Sequence, residues 1–190
     1  MSMDKTIQII NQMERDGVIG RYAIGGAVAA YNYIEPTVTE DLDLLISFDD
    51  LATGGSSGLV TVAPIYAYLA VKGYSQFQRE GLVVEGWSIQ FLPVADGLDA
   101  EALVQAVDID LQVYGNTVKT RVLRPEHVVA TAVKVGRAKD FVRISQFLTE
   151  QAVDLDVLRD TLDRHGLKSK WSDFCTATGT RDPFEVRSEP

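Results

Sequence analysis

A chain of 190 residues, 46% of them hydrophobic, is long enough for one domain or for one core with a helical appendage, and too apolar for global disorder. Its formal charge of −9 argues against a broad electropositive surface for duplex nucleic acid and leaves room only for a local basic patch. One cysteine, Cys175, excludes an internal disulfide, and two histidines, His127 and His165, leave almost no material for a zinc site. These counts point to a reducing cytoplasm. Met1 to Gln12 does not read as a signal peptide, and no stretch approaches the ~20 apolar residues of a membrane span.

Asp4 to Asp16 reads as an amphipathic helix with Ile7, Ile9, Ile10 and Met13 on its apolar side and Gly17 at its end. Arg21 to Ile24 is a short strand. Gly25-Gly26 then allows a tight turn, Ala27 to Ile34 reads as a helix, and Pro36 stops it. The stretch Asp41-Leu42-Asp43-Leu44-Leu45-Ile46 alternates with the period of a strand. Asp49 to Gly58 is a polar, glycine-rich loop without the Lys-Ser/Thr ending of a P-loop. Ile65 to Lys72 is a helix. Tyr74 to Val84 and Trp87 to Val94 are strands about a Glu85-Gly86 turn. Glu101 to Ala106 is a short helix, and Ile109 to Tyr114 with Val118 to Leu123 forms a hairpin around Gly115-Asn116. Pro125 opens a helix through Lys134, and Phe141 to Leu148, Asp154 to His165 and Lys168 to Thr178 follow as helices. The expected fold is α/β (α+β): a small mixed twisted sheet with flanking helices over 1–123, a helical subdomain over 124–180, and a frayed tail over 181–190.

Residues two apart on a strand share a face, so Asp41 and Asp43 project side by side. Their like charges repel, and a divalent cation with a preference for hard oxygen ligands, Mg²⁺, relieves that repulsion. If Gly26 opens the next helix, backbone N–H groups and the positive end of its dipole face the same place. Metal-holding carboxylates beside an anion-binding helix start suit a nucleoside triphosphate. The plainer alternative is two solvated carboxylates and an ordinary turn. In the back half, Lys134, Arg137 and Lys139 concentrate cationic charge in an acidic chain. They either neutralise a transferred phosphoryl group or pair with Asp140 and Glu126 on the helix surface.

Gly-Gly, a short helix, then Thr39-Glu40-Asp41-Leu42-Asp43-Leu44 resembles the signature of the DNA polymerase beta-like nucleotidyltransferase superfamily. More narrowly, it is similar to the minimal nucleotidyltransferases and the AbiEii-type toxins of abortive-infection and toxin–antitoxin systems. Pro125-Glu126 through Lys134, then Gly136-Arg137-Ala138-Lys139-Asp140, looks like the helical back half of the AbiEii type. The resemblance implies that Gly25 and Gly26 hold the triphosphate and that Asp41 and Asp43 hold Mg²⁺. It also implies that Lys134, Lys139 and Asp140 line the nucleotide site, with Arg137 at an often basic position. A further acid is expected on a neighbouring strand. The residue aligned there is Gln90, an amide that offers a metal its carbonyl oxygen but cannot act as a base. Asp140 is one substitute; Glu85 falls on the opposite face, and Asp108 and Asp110 read as solvated hairpin acids. A basic residue usual before the Asp pair is replaced by Thr37, Thr39 and Glu40.

The resulting expectation is transfer of a nucleoside monophosphate from an NTP, with Mg²⁺, to a hydroxyl of a protein or RNA acceptor. The alternatives are a catalytically inactive nucleotide-binding or antitoxin-like module, motivated by Gln90, and a protein that only makes interactions. The sequence leaves the oligomeric state open.

Overall fold

The computed structural model describes residues 2–48, 61–113 and 115–185. The glycine-rich stretch Asp49 to Gly58, read as a loop, lies outside them. Helix α1 (Met3–Arg15) buries Ile7, Ile10 and Met13, the stripe expected from its spacing. It is tied to the sheet where Thr6 Oγ1 donates to the Val84 carbonyl at 3.2 Å. Strand β1 (Tyr22–Ile24) is buried throughout and leads through Gly25 into α2 (Gly26–Ala30). The helix expected over 27–34 is therefore a single five-residue turn. Beyond it the chain continues in turns, where Tyr31 donates its hydroxyl to the Thr37 carbonyl and Tyr33 to the Leu123 carbonyl.

Strand β2 (Asp41–Ile46) alternates as expected, with Leu42 and Leu44 fully buried and Asp41 and Asp43 partly exposed. After α3 (Ala63–Val71) come β3 (Phe77–Gln78), β4 (Gly81–Val84) and β5 (Trp87–Pro93). The single strand expected over 74–84 is thus broken. Arg79 adopts a left-handed backbone, φ 54°, and turns the chain between β3 and β4. Helix α4 (Gly97–Val104) starts earlier than the expected Glu101, because Asp96 caps it by accepting from the Asp99 backbone N–H. Strands β6 (Val107–Val113) and β7 (Asn116–Val122) close the strand set as the expected hairpin.

These strands form one mixed sheet in the order β3-β4-β5-β2-β1-β7-β6. β2 runs parallel to β5 and antiparallel to β1, and β1 runs parallel to β7. The sheet is open. One edge is the two-residue β3; the other is β6, on which Asp108 and Asp110 are exposed.

The back half is helical: α5 (Pro125–Val135), α6 (Ala138–Thr149), α7 (Leu155–Arg164) and α8 (Lys168–Thr178). Pro125 sits in the first turn of α5, where its missing N–H costs nothing. α5 is the hub, packing against α2, α4, α6, α7 and α8 with Val128, Val129, Ala130, Ala132 and Val133 buried. At the start of the segment expected to fray, Asp182 accepts from Trp171 Nε1 at 3.0 Å and the Phe184 ring lies 4.9 Å from the Trp171 indole. Among the described residues no helix is long and apolar enough to cross a membrane.

One carboxylate fastens α4 to the bundle. Glu101 accepts from Arg164 Nη2 at 2.6 Å and faces His165 Nε2 at 2.8 Å and His127 Nε2 at 3.3 Å. The Arg164 guanidinium, then the two imidazoles, outweigh the cost of burial and hold its carboxyl down at about 2. A folded-state pKa below the unfolded one means that this stability is present above the ordinary carboxylate range and is lost as pH falls toward 2. Glu101→Gln is expected to lose about 1–2 kcal/mol at pH 7, a value discounted for the water that still reaches the group. Thermal melts at pH 7, 4 and 2.5 check this: the gap to wild type narrows over the last two.

Candidate functional site

The site begins with β2. Its parallel register with β5 sets Asp41 beside Ser88 and Asp43 beside Gln90. The amide thus stands where the expected neighbouring acid would be. On the other side of β2, the chain leaving β1 returns to the same residue: the Gly25 N–H donates to the Asp43 backbone carbonyl at 2.8 Å. Gly26 follows with φ +58°, and a Cβ there would lie 1.9 Å from Asp43 Oδ2. The carboxylate occupies the space a side chain would need, which requires glycine at this position. Because α2 has only five residues, the glycine turn contributes close backbone approach more than a helix dipole.

The α5–α6 junction supplies the opposite wall. Gly136 ends α5 in the left-handed conformation, φ 71°, and Arg137 caps α6. Asp140 is 1% exposed and gathers the basic groups. It accepts from the Arg137 backbone N–H at 3.1 Å, from Arg137 Nε at 2.8 Å and from Arg143 Nη1 at 3.4 Å. Asp140 therefore orients two arginines, and both of its oxygens are engaged.

Two hollows meet at the Asp pair. The first, about 430 Å³, is bordered by Gly25, Gly26, Asp43, Gln90, Arg137 and Asp140, and also reaches Lys134 and Glu80. The second, about 530 Å³, is bordered by Asp41, Arg79, Lys139, Tyr31 and Val38. Arg143 lines both. Asp41 and Lys139 thus lie on one side of the seam, and the other residues singled out from the sequence lie on the other.

Charge is unevenly settled across this seam. Burial pushes the Asp43 carboxyl up; Arg143, Lys139 and Arg137 pull it back in that order, and Asp41 pushes it up again. Asp41 Oδ2 pairs with Arg79 Nη1 at 3.1 Å, while Asp41 Oδ1 is buried without a hydrogen-bond partner among the described residues. Lys134 pairs with neither Glu126 nor Asp140. Its ammonium lies 2.7 Å from Asp96 Oδ2 and 2.8 Å from Asp99 Oδ1, at the start of α4. Burial pulls its pKa down, and these carboxylates more than offset that, so the net direction is up. Among the described residues no ion pair involves Lys139. Asp108 lies 3.6 Å from Arg121 on the far edge, away from both hollows.

Three groups at the site escaped the sequence reading. Arg143 stands three positions after Asp140 on one helix, a spacing that shares a face and offered a usable signal. Asp96-x-x-Asp99 is a capping pattern that the late helix start concealed. Glu80 was read as mid-strand, and no sequence feature marked it as a turn residue.

No protein-family model matches the chain, and no curated protein matches it in sequence. Solved structures do. An antigenic nucleotidyltransferase-like protein from Paracoccidioides brasiliensis is similar over 95% of this chain and 95% of its own, at 19% identity and a TM-score of 0.48. The antibiotic-resistance factor ANT(2'')-Ia is similar over 94% of this chain and 100% of its own, at 14% identity and a TM-score of 0.46.

Proposed function

We propose that this chain is a Mg²⁺-dependent nucleotidyltransferase of the toxin type, moving a nucleoside monophosphate from an NTP to a hydroxyl of a protein or RNA acceptor. The observation that carries the reading is the seam: a glycine turn pressed on Asp43 faces two arginines gathered by one buried aspartate. The motif resemblance, including the Pro125 to Asp140 stretch, supports the toxin type.

The residues present fit Mg²⁺. Asp41, Asp43 and the Gln90 carbonyl are all hard oxygen donors, and Asp41 Oδ1 is a buried oxygen in want of a partner. Among the described residues no group of three or more His, Cys, Asp or Glu side chains is assembled for a metal. Two carboxylates completed by substrate phosphates are a usual Mg²⁺ arrangement. When bound, the ion neutralises charge building on the transferred phosphoryl group.

The protein's own groups do the rest. Gly25 and Gly26 let the triphosphate approach the backbone. Arg137 and Arg143, and Lys139 from the Asp41 side, offset its charge, and Asp140 keeps the two arginines aimed. Lys134 acts through Asp99 to fix the wall of the first hollow. The second hollow, with Tyr31 and Val38, has the size for a nucleoside.

The test is purified protein with Mg²⁺, labelled NTPs and a panel of proteins and RNAs. Transfer of label with release of pyrophosphate is expected; absence of Mg²⁺-dependent NTP binding by calorimetry overturns the proposal. A second reading, a nucleotide-binding module without catalysis, is favoured by Gln90 beside Asp43 and by Arg79 resting on Asp41. It requires tight NTP binding with no turnover.

A further inference from the structure

We infer that Glu80, on the turn between β3 and β4, is the base that takes the acceptor's proton, in place of the strand carboxylate that Gln90 lacks. The inference rests on the nucleotidyltransferase reading and adds a catalytic residue to it.

Elimination within the first hollow comes first. Four carboxylates border it: Asp43, Glu80, Asp99 and Asp140. Asp140 is committed to Arg137 and Arg143. Asp99 accepts from Lys134 Nζ at 2.8 Å and from the Ala95 N–H at 3.1 Å. Asp43 is packed on Gly26 beside Asp41 and belongs to the metal pair. Among the described residues Glu80 has neither a hydrogen bond nor an ion pair; it is exposed, lines the hollow, and its charge reaches the Arg137 guanidinium. A base needs a free lone pair within reach of the proton; among the described residues Asp43 and Glu80 are the two of these four without a hydrogen bond or ion pair, and with Asp43 assigned to the metal Glu80 remains.

The turn that carries it is fastened to the site. Gln78 Nε2 donates to Glu40 Oε2 at 3.2 Å, Arg79 Nη1 to Asp41 Oδ2 at 3.1 Å, and Ser88 Oγ to the Gln78 carbonyl at 3.0 Å. Gly81 presses on β5 so closely that a Cβ would sit 2.2 Å from Ser88 Oγ, two positions before Gln90. The left-handed backbone of Arg79 then sends consecutive side chains to opposite sides of the seam. Arg79 borders the Asp41 hollow and Glu80 the Asp43 hollow. Chain reversal at this one residue delivers an acid to the side where β5 offers only an amide.

The step balances. The acceptor O–H gives its proton to the Glu80 carboxylate, and its oxygen forms a bond to the α-phosphorus. The bond from that phosphorus to the bridging oxygen breaks, and the electron pair leaves with pyrophosphate. Glu80 then returns the proton to solvent. The acceptor enters from the Glu80 side, and the nucleoside from the side of Tyr31 and Val38.

The experiment uses the full chain, with a non-hydrolysable NTP for binding and labelled NTP for transfer, over a range of pH. Glu80→Gln is expected to bind the analogue within about twofold of wild type and to lose about 10²-fold or more in transfer. The limb of the pH profile that rises with deprotonation of the base should vanish. Glu80→Asp is expected to recover part of the rate. Gln90→Glu in the Glu80→Gln background should recover more, because it sets a carboxylate beside Asp43. Wild-type transfer with Glu80→Gln at full rate, or a loss that leaves the pH limb intact, overturns the inference and spares the nucleotidyltransferase reading. Wild-type protein that binds no NTP overturns both.

Discussion

Gly26→Ala is expected to cut transfer by about 10²-fold or more and to lower stability by about 1–2 kcal/mol. A Cβ at this position would stand 1.9 Å from Asp43 Oδ2 and 2.8 Å from its Cγ, so the carboxylate must swing away from the seam. The backbone there, at φ +58°, carries a further strain for any L side chain. Gly25→Ala is the internal control. Its Cβ would meet Leu123 Cδ1 at 3.5 Å and the Asp43 carbonyl at 3.9 Å, ordinary contacts on an extended backbone. Transfer assays and melts on the two variants check this, and equal losses at both glycines would mean that the clash with Asp43 is not the cause.

The second large effect runs in opposite directions for activity and stability. Asp43→Asn is expected to lose about 10³-fold in transfer, because an amide cannot hold the cation or the charge balance of the seam. The same variant is expected to melt higher than wild type at neutral pH. Burial raises the Asp43 pKa above its unfolded value. The folded chain therefore keeps that proton to higher pH than the unfolded chain does. Stability falls as pH rises through the window between the two values. The advantage should disappear at acid pH, where both side chains are neutral. Mg²⁺ alone should raise the melting temperature of wild type and leave that of Asp43→Asn unchanged.

Local pattern made much of the fold legible. The alternation of Asp41 to Ile46, the Glu85-Gly86 turn, the hairpin about Gly115 and the Pro125 helix start each express a nearest-neighbour preference, and each stands where the sequence put it. The place of Gln90 on the strand beside the Asp pair was reached through the family resemblance, and the parallel register sets it beside Asp43. What was not legible depends on partners far along the chain or on unusual backbone. Nothing in Gln78-Arg79-Glu80-Gly81 announces that Arg79 takes φ 54°, a conformation more often left to glycine or asparagine. Lys134 was placed on the right helix, but its partners Asp96 and Asp99 sit on α4, and no helical spacing connects them.

The acids that take no part at the seam have a use of their own. An open sheet offers two margins to a neighbouring molecule's strand. Here one margin is only two residues long, and the other, β6, carries exposed Asp108 and Asp110. Two copies meeting along β6 would bring like charges together, so the longer margin resists the edge-to-edge stacking that leads to aggregation.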